Sequence, residues 1–146
     1  MTRHTPVLLH EVITLLDPQP GDFIIDGTLD GGGHAAAILE SVGPKGKVLG
    51  VDWDHEMIAQ AKVRFAKEKK FFGAHGNYAE LPQILRREKL GTADGLLLDL
   101  GFSSEQLERS GHLGFISGSV LAYGDEDGHT IVQYRLDCLF GYCLNY

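Results

Sequence analysis

Two aspartates and a run of glycines stand where α/β proteins bind nucleotides. Residues 26–34 read DGTLDGGGH, and Asp26 ends an apolar run at residues 23–25, while Asp52 ends a second apolar run at residues 48–51. Glycine lets backbone approach a ligand closely, and an acid at the tip of the next strand accepts hydrogen bonds from ribose hydroxyls. This spacing predicts a nucleotide-type cofactor site. The alternatives are a plain strand–helix turn and, for Asp52 alone, a helix N-cap.

The glycine loop fits S-adenosylmethionine (SAM) better than a dinucleotide. Residues 31–36 satisfy the pattern G-x-G-x-x-G/A, but in dinucleotide sites that pattern turns directly off the strand. Here the strand is predicted to end near Asp26, several residues before the triple glycine. SAM has no phosphates and needs close backbone packing around its methionine part and an acid for its ribose. We therefore predict a SAM site and keep NAD-dependent oxidation and reduction as the alternative chemistry.

The composition is typical of one globular domain in the cytoplasm. The chain has 146 residues, 43% of them apolar, and a formal charge of −7. No apolar stretch is long enough for a bilayer, the N-terminus lacks a signal-peptide core, and a stand-alone nucleic-acid binder would normally show a basic face. The seven histidines include no H-x-x-x-H pair, so no metal site is expected, and Cys138 and Cys143 are expected to be free thiols.

Apolar periodicity alternates between strands and helices along residues 7–100. The predicted strands are residues 23–25, 47–51, 71–75 and 95–100, and the predicted helices are residues 7–16, 34–41, a segment capped by Asp54, and 81–90. Such alternation builds an α/β fold with a parallel sheet, and right-handed crossovers bring every strand's carboxyl end to one edge. Asp26, Asp52, residues 76–78 and Asp99 would therefore meet in one crevice.

These strand tips resemble those of the bacterial 16S rRNA (cytosine-N4)-methyltransferases, the RsmH or MraW family. The resemblance covers roughly residues 4–115 and is carried by HTPVLL with Glu11, DGTLDGGGH, GVDWD, HGNY, and DGLLLDLG followed by SS and QL. It implies a Rossmann-like class I SAM-dependent methyltransferase fold, of which this chain holds the first four parallel strands in the order 3-2-1-4. It also implies a cytoplasmic enzyme that methylates the exocyclic N4 of one cytosine in the small-subunit rRNA.

The same resemblance implies which residues contact SAM. Gly32, Gly33 and His34 would contact its methionine end, Asp52 its ribose and Tyr78 its adenine, and Asp99 and Gln106 would complete the pocket. Asp99 is also the candidate catalytic acceptor for the protons of the cytosine amine, and contact with SAM alone is the alternative. Without the resemblance, His34 could simply cap a helix and Tyr78 could belong to the core.

The resemblance stops after Phe115, and residues 116–146 match nothing in the family. The family continues with a G-P-L-D-M-R-M motif, an inserted helical domain and the remaining strands of a seven-stranded sheet. Residues 125–128, DEDG, can be encoded by GAT GAG GAT GGN, which gives Met-Arg-Met when read one nucleotide later. We therefore hypothesise that residues 1–115 are the N-terminal part of a methyltransferase domain and that a frameshift produced residues 116–146.

A truncated form of this kind has doubtful activity, and the alternative is a non-catalytic remnant that binds SAM or a partner. Its fourth strand would become an open edge, where each leucine forgoes part of the roughly 1.5–3 kcal/mol that burial contributes. Residues 130–134 and 136–144 have strand-like composition and could cover that edge.

Overall fold

The computed structural model describes residues 9–99, together with the backbone of residues 120–124 and 130–135. The elements in chain order are α1 (Leu9–Leu16), β1 (Phe23–Asp26), α2 (Gly33–Val42), β2 (Lys47–Asp52), α3 (His55–Arg64), β3 (Phe71–His75), a 3-10 turn (Tyr78–Glu80), α4 (Leu81–Glu88), β4 (Gly95–Asp99), β5 (Val120–Gly124) and β6 (Thr130–Arg135). Each strand and helix predicted between residues 7 and 100 is present, with ends shifted by one or two residues where the structure describes them.

The strands form one sheet in the order β3-β2-β1-β4-β6-β5. The strands β3, β2, β1 and β4 are parallel, which confirms the predicted order 3-2-1-4. From β1 the chain adds β2 and then β3 on one side, and it then crosses back to add β4 on the other side of β1. The sheet therefore has a switch point between β1 and β4, where open α/β sheets bind their ligands.

Apolar side chains cover both faces of the sheet. Ile25 belongs to a buried cluster that includes Ile84 of α4, whereas its neighbour Ile24 belongs to a second cluster that includes Ile38 of α2. Successive side chains of a strand point to opposite faces, so the two clusters lie on opposite sides of the sheet. Burial on both sides explains why these strands read as continuous apolar runs.

A hairpin from the last third of the chain covers β4. The strand β6 pairs antiparallel with β4, placing Val132 opposite Leu98, and β5 pairs antiparallel with β6 on the outside. The expectation that β4 would be an open edge is therefore wrong, and the alternative, that residues 130–134 would cover it, is confirmed. Residues 136–144 lie outside the described residues. The sequence analysis missed β5, because its short run VLAYG lacks alternation and ends in glycine.

Helix ends follow the local chemistry of the sequence. Asp54 caps α3, since its Oδ1 accepts a hydrogen bond of 2.8 Å from the backbone N–H of Glu56. Pro82 lies in the first turn of α4, where its missing N–H removes no helical hydrogen bond. Gly43 ends α2 with φ of +64°, a conformation that glycine adopts without strain. These ends fix where each loop leaves the sheet and thereby position the strand tips.

Candidate functional site

Hydrogen bonds between loops join the strand tips at one edge of the sheet. Gly27, directly after β1, donates its N–H to the carbonyl of Leu97 in β4 at 2.9 Å. Gly76, directly after β3, donates its N–H to the carbonyl of Asp52 at the end of β2, also at 2.9 Å. These bonds join the tip of β1 to β4 and the tip of β3 to β2, at the edge that the alternation of strands and helices predicted.

The carboxylate of Asp52 is fixed by backbone from both sides. It is 8% exposed; its Oδ2 accepts a hydrogen bond of 2.9 Å from the N–H of Asp30, and its Oδ1 accepts one of 2.9 Å from the N–H of Asp54. An ionised carboxylate has about four lone-pair sites, so each oxygen keeps a further site for a ligand hydroxyl. The backbone therefore fixes the orientation of the Asp52 carboxylate. It caps no helix, since that role belongs to Asp54.

Close packing shapes the glycine loop. Gly32 precedes α2 with φ of +72°, and a Cβ on it would lie 2.9 Å from Cε2 of Phe65. A residue with a side chain would therefore be strained in its backbone and would also collide with that ring. The guanidinium of Arg64 donates a hydrogen bond to the carbonyl of Gly31 and braces the loop from α3. This packing holds the backbone of the loop close to the edge of the sheet where the strand tips meet, which we call the ligand edge.

The first turn of α2 begins inside this loop. Gly33 and His34 are its first residues, and His34 is buried. The N–H groups of a helix's first turn have no partner within the helix and carry partial positive charge, which attracts a carboxylate. The predicted contacts Gly32, Gly33 and His34 therefore lie together at a helix N-terminus on the ligand edge.

Thr28 links two of the strand-tip acids, a role that the sequence analysis missed. Its Oγ1 accepts a hydrogen bond of 2.6 Å from the backbone N–H of Asp99, and its own N–H donates to Oδ1 of Asp26 at 3.3 Å. Asp99 is half-buried at the end of β4. The sequence signal that could have revealed this role is a hydroxyl side chain, that of Thr28, between the strand-tip acid Asp26 and the glycine cluster. Thr28 thus positions Asp99, the candidate acceptor.

Asp26 is a buried acid with a free oxygen at the base of the site. It is fully buried, and its Oδ2 has no hydrogen-bond partner among the residues that the structure describes. The pKa of this carboxyl is raised to about 7, first by burial and to a smaller extent by the charges of Asp99, Asp52 and Asp30, while a hydrogen bond from Thr28 acts to lower it. The sequence analysis counted Asp26 among the strand tips but gave it no role, because burial cannot be read from residue types.

Tyr78 lies at the same edge, after β3. It begins the 3-10 turn, which Asn77 and Glu80 cap reciprocally, and its side chain is 38% exposed. Its Cβ is 3.3 Å from the position that a Cβ on Gly27 would take. The alternative that Tyr78 is a core residue is therefore wrong, and its Cβ lies next to the β1 tip. Gln106 lies outside the described residues.

The side chains at this edge fit a cationic nucleoside better than a dinucleotide. Asp30, Asp52 and Asp99 all act electrostatically on Asp26, so the site concentrates negative charge. A pyrophosphate would add further negative charge beside these acids, whereas the sulfonium and ammonium of SAM would neutralise part of it.

Neither a metal site nor a membrane-spanning helix is found in the described ranges, residues 9–99 with the two strands β5 and β6. Within them, no three His, Cys, Asp or Glu side chains are grouped so that they could hold a metal ion. Within them, too, no helix is long and apolar enough to span a membrane.

Comparison with known proteins yields one family over most of the chain. The sequence pattern of the MraW methylase family matches residues 1–116. The ribosomal RNA small subunit methyltransferase H of Trichlorobacter lovleyi is 44% identical over 107 residues, and that of Myxococcus xanthus is 46% identical over 106 residues. These alignments cover 73% of this chain, but only 34% and 33% of the two relatives. The chain thus spans about a third of the length of the curated relatives it matches.

Solved structures share the fold at low sequence identity. Fibrillarin of Aeropyrum pernix, crystallised with natively bound S-adenosyl-L-methionine, aligns with a TM-score of 0.58 and 12% identity over 80% of this chain and 67% of that one. A SAM-dependent methyltransferase of Aquifex aeolicus aligns with a TM-score of 0.59 and 14% identity over 86% of this chain and 88% of that one. These likenesses confirm the predicted methyltransferase fold.

Proposed function

The chain belongs to the MraW methylase family, and from that premise we propose that it carries the SAM-binding part of an enzyme that methylates the N4 amine of a cytosine in 16S rRNA. The observation that carries the proposal is the joining of the glycine loop, Asp52 and Asp99 at one edge of the sheet, around a concentration of negative charge. The relatives' names supply the substrate class, small-subunit rRNA. We place the activity in the cytoplasm.

Each part of SAM has a counterpart at this edge. The first turn of α2, with Gly32, Gly33 and His34, would hold the methionine end, where the helix N-terminus meets its carboxylate. Asp52 would accept hydrogen bonds from the ribose hydroxyls, and the ring of Tyr78 would contact the adenine. Asp99 and Gln106 would close the pocket. When bound, SAM supplies a methyl group that its sulfonium makes electrophilic.

The remaining task for the protein is to align a weak nucleophile. The lone pair of the cytosine amine is delocalised into the ring, so the amine reacts only when it lies in line with the methyl–sulfur axis. Asp99 would accept hydrogen bonds from the amine, hold it in that line and take the proton lost when the new N–C bond replaces the C–S bond. Thr28 fixes the backbone of Asp99 for this task. Positioning of this kind contributes up to roughly 7–11 kcal/mol, and the base must first leave its stack.

Calorimetry and a methyl-transfer assay test the proposal together. Purified chain is titrated with SAM and, separately, with NADH, and is then incubated with methyl-labelled SAM and small ribosomal subunits that lack the N4 methyl group. We expect SAM but not NADH to bind, and label to appear on the rRNA. Binding of NADH without SAM would overturn the proposal.

A non-catalytic SAM-binding remnant is the second candidate. It is favoured by one observation, the coverage of only about a third of each curated relative. SAM binding without transfer to the rRNA, under conditions in which a complete relative transfers, identifies this candidate. Transfer by the chain itself excludes it.

A further inference from the structure

Positive charge is concentrated in one part of this acidic chain. Residues 62–89 hold eight of the 13 lysines and arginines but three of the 20 aspartates and glutamates, whereas the formal charge of the whole chain is −7. The densest stretch is residues 67–70, KEKK, which lies between α3 and β3. The chain therefore has a local basic surface that its overall charge conceals, and a charged partner responds to the local field.

The three lysines of this stretch, Lys67, Lys69 and Lys70, form what we call the basic turn. All three are exposed, and within the described residues no ion pair involves them. The helix dipole does not account for them, because α3 ends at Arg64 and the favourable effect of a helix C-terminus falls off within the last turn. Apart from the charge of Glu68 between them, their mutual repulsion is left uncompensated, and a bound anion would relieve it.

Backbone hydrogen bonds brace the basic turn. The N–H of Glu68 donates to the carbonyl of Phe65 at 2.8 Å, and the N–H of Phe71 donates to the carbonyl of Glu68 at 3.0 Å. The carbonyl of Lys70 accepts the N–H of Val48 at 2.9 Å, so the turn leads directly into the pairing of β2 with β3. A braced backbone presents the three lysines before any partner binds, which lowers the entropy lost on binding.

The basic turn lies at the opposite end of β3 from the ligand edge. It precedes β3, whose other end at His75 leads to Tyr78. The five residues of β3 span about 17 Å at the usual rise of a strand. Lys62 of α3 lies between the two ends, since its Cγ is 3.4 Å from the position that a Cβ on Gly73 would take. Positive charge therefore extends from the basic turn along β3 towards the crevice.

We propose that the basic turn binds the phosphate backbone of the rRNA while the target base lies in the crevice. This inference rests on the proposed function, which supplies the rRNA as substrate. Asp52 and Asp99 at the strand tips repel phosphates, so the RNA backbone is better held at a distance from them. An acidic segment of a protein is the competing occupant. RNA is favoured because its regularly spaced phosphates match several ammonium groups at once, and lysine binds phosphate as a point charge.

The salt dependence of RNA binding tests this inference. Fluorescence anisotropy measures the affinity of the full chain, in the presence of SAM, for a short fluorescein-labelled single-stranded RNA over a series of KCl concentrations. We expect Lys67→Gln combined with Lys69→Gln to weaken binding roughly 5- to 25-fold at about 0.1 M salt and to reduce the slope of log affinity against log salt by about 1.4, because two phosphate contacts are lost. The loss should be the same for RNAs of different sequence. Lys67→Arg combined with Lys69→Arg keeps both charges and should keep the affinity.

Arg86→Gln combined with Lys89→Gln is the matched control, since it removes the same charge from the end of α4, which packs on the other face of the sheet from α3. We expect this control to bind RNA as the unchanged chain does. Calorimetry should find the same SAM affinity in all of the variants, and thermal melting checks that they fold.

Three results would overturn the inference and leave the proposed SAM site standing. They are equal losses of RNA affinity in the two glutamine variants, a salt slope that the lysine variant leaves unchanged, and an absence of RNA binding by a chain that binds SAM. Polyglutamate that binds as tightly as RNA and loses affinity in the same lysine variant would make an acidic protein the occupant, which also overturns it. Absence of SAM binding in calorimetry refutes the proposed function itself.

Discussion

Asp26 couples the chemistry of the site to the stability of the fold. Burial raises its pKa from 3.8 to about 7, so the native chain keeps a proton that the unfolded chain releases at lower pH. Between pH 4 and 7 the native state therefore binds more protons, and the free energy of unfolding falls as the pH rises, by up to roughly 4 kcal/mol. Above pH 7 both states are ionised and this contribution to the slope disappears.

Asp26→Asn removes this titration, and we expect its stability relative to the unchanged chain to improve as the pH rises from 5 to 8. The absolute stability of the variant also reflects a new amide N–H in place of Oδ2, so the informative quantity is the difference between the two pH values. Urea unfolding of both proteins at pH 5 and pH 8 measures it. A stability difference that is the same at both pH values would contradict the predicted ionisation.

Asp52 offers a second test at the scale of one residue. Asp52→Asn keeps the size of the side chain but loses the charge and one acceptor, so SAM affinity should fall roughly 10- to 100-fold, as expected for a hydrogen bond to a charged group. Asp94→Asn is the control, because the Oδ2 of Asp94 also accepts a backbone N–H, from Phe23 at 2.8 Å, but at the opposite edge of the sheet. Calorimetry that finds equal losses in both variants would show a structural effect only.

At the scale of elements, β6 pairs with β4, which would otherwise be an edge strand of the sheet. It lies between β4 and β5, so backbone N–H groups along it face a strand on either side. An uncovered β4 would present unpaired amides and leucines, which promotes aggregation. The β5–β6 hairpin therefore protects the strand that ends in Asp99.

Val132→Pro tests this pairing, since proline removes one N–H from the ladder. We expect it to lower the free energy of unfolding by more than about 1 kcal/mol and to speed hydrogen exchange in β4. Val132→Ala keeps the N–H and separates the backbone effect from the effect of a shorter side chain. If exchange in β4 is the same in all three proteins, β6 does not cover β4 in solution.

The whole molecule carries a formal charge of −7 and gathers several carboxylates at one edge. A cationic ligand should therefore stabilise it strongly. At a concentration one hundred times its dissociation constant, SAM should add about 2.7 kcal/mol of stability, which is an increase in Tm of roughly 5–15 °C. NADH at the same concentration should leave the Tm unchanged. Differential scanning fluorimetry that finds equal shifts for both compounds would favour a dinucleotide site.

The last part of the chain raises a question that only its coding sequence answers. We propose that residues 116–146 are read from a shifted frame, since DEDG at residues 125–128 is compatible with a Met-Arg-Met motif one nucleotide later. Sequencing around codon 115 is expected to restore family sequence in that frame. If no alternative frame does so, residues 116–146 are a genuine extension whose hairpin pairs with β4.

The sequence by itself determined the strands and helices up to residue 99, because apolar periodicity, capping residues and glycine turns are patterns between near neighbours. The order of the first four strands and the family followed from the resemblance of its motifs to those of known methyltransferases. Only the tertiary structure decided that Asp26 is fully buried, with no hydrogen-bond partner for its Oδ2 in the described part of the chain, that Thr28 binds the backbone of Asp99, and that a hairpin covers β4. The bond between Thr28 and Asp99 joins residues 71 positions apart. Burial and pairing over such separations depend on how the whole chain packs, and no local pattern encodes them.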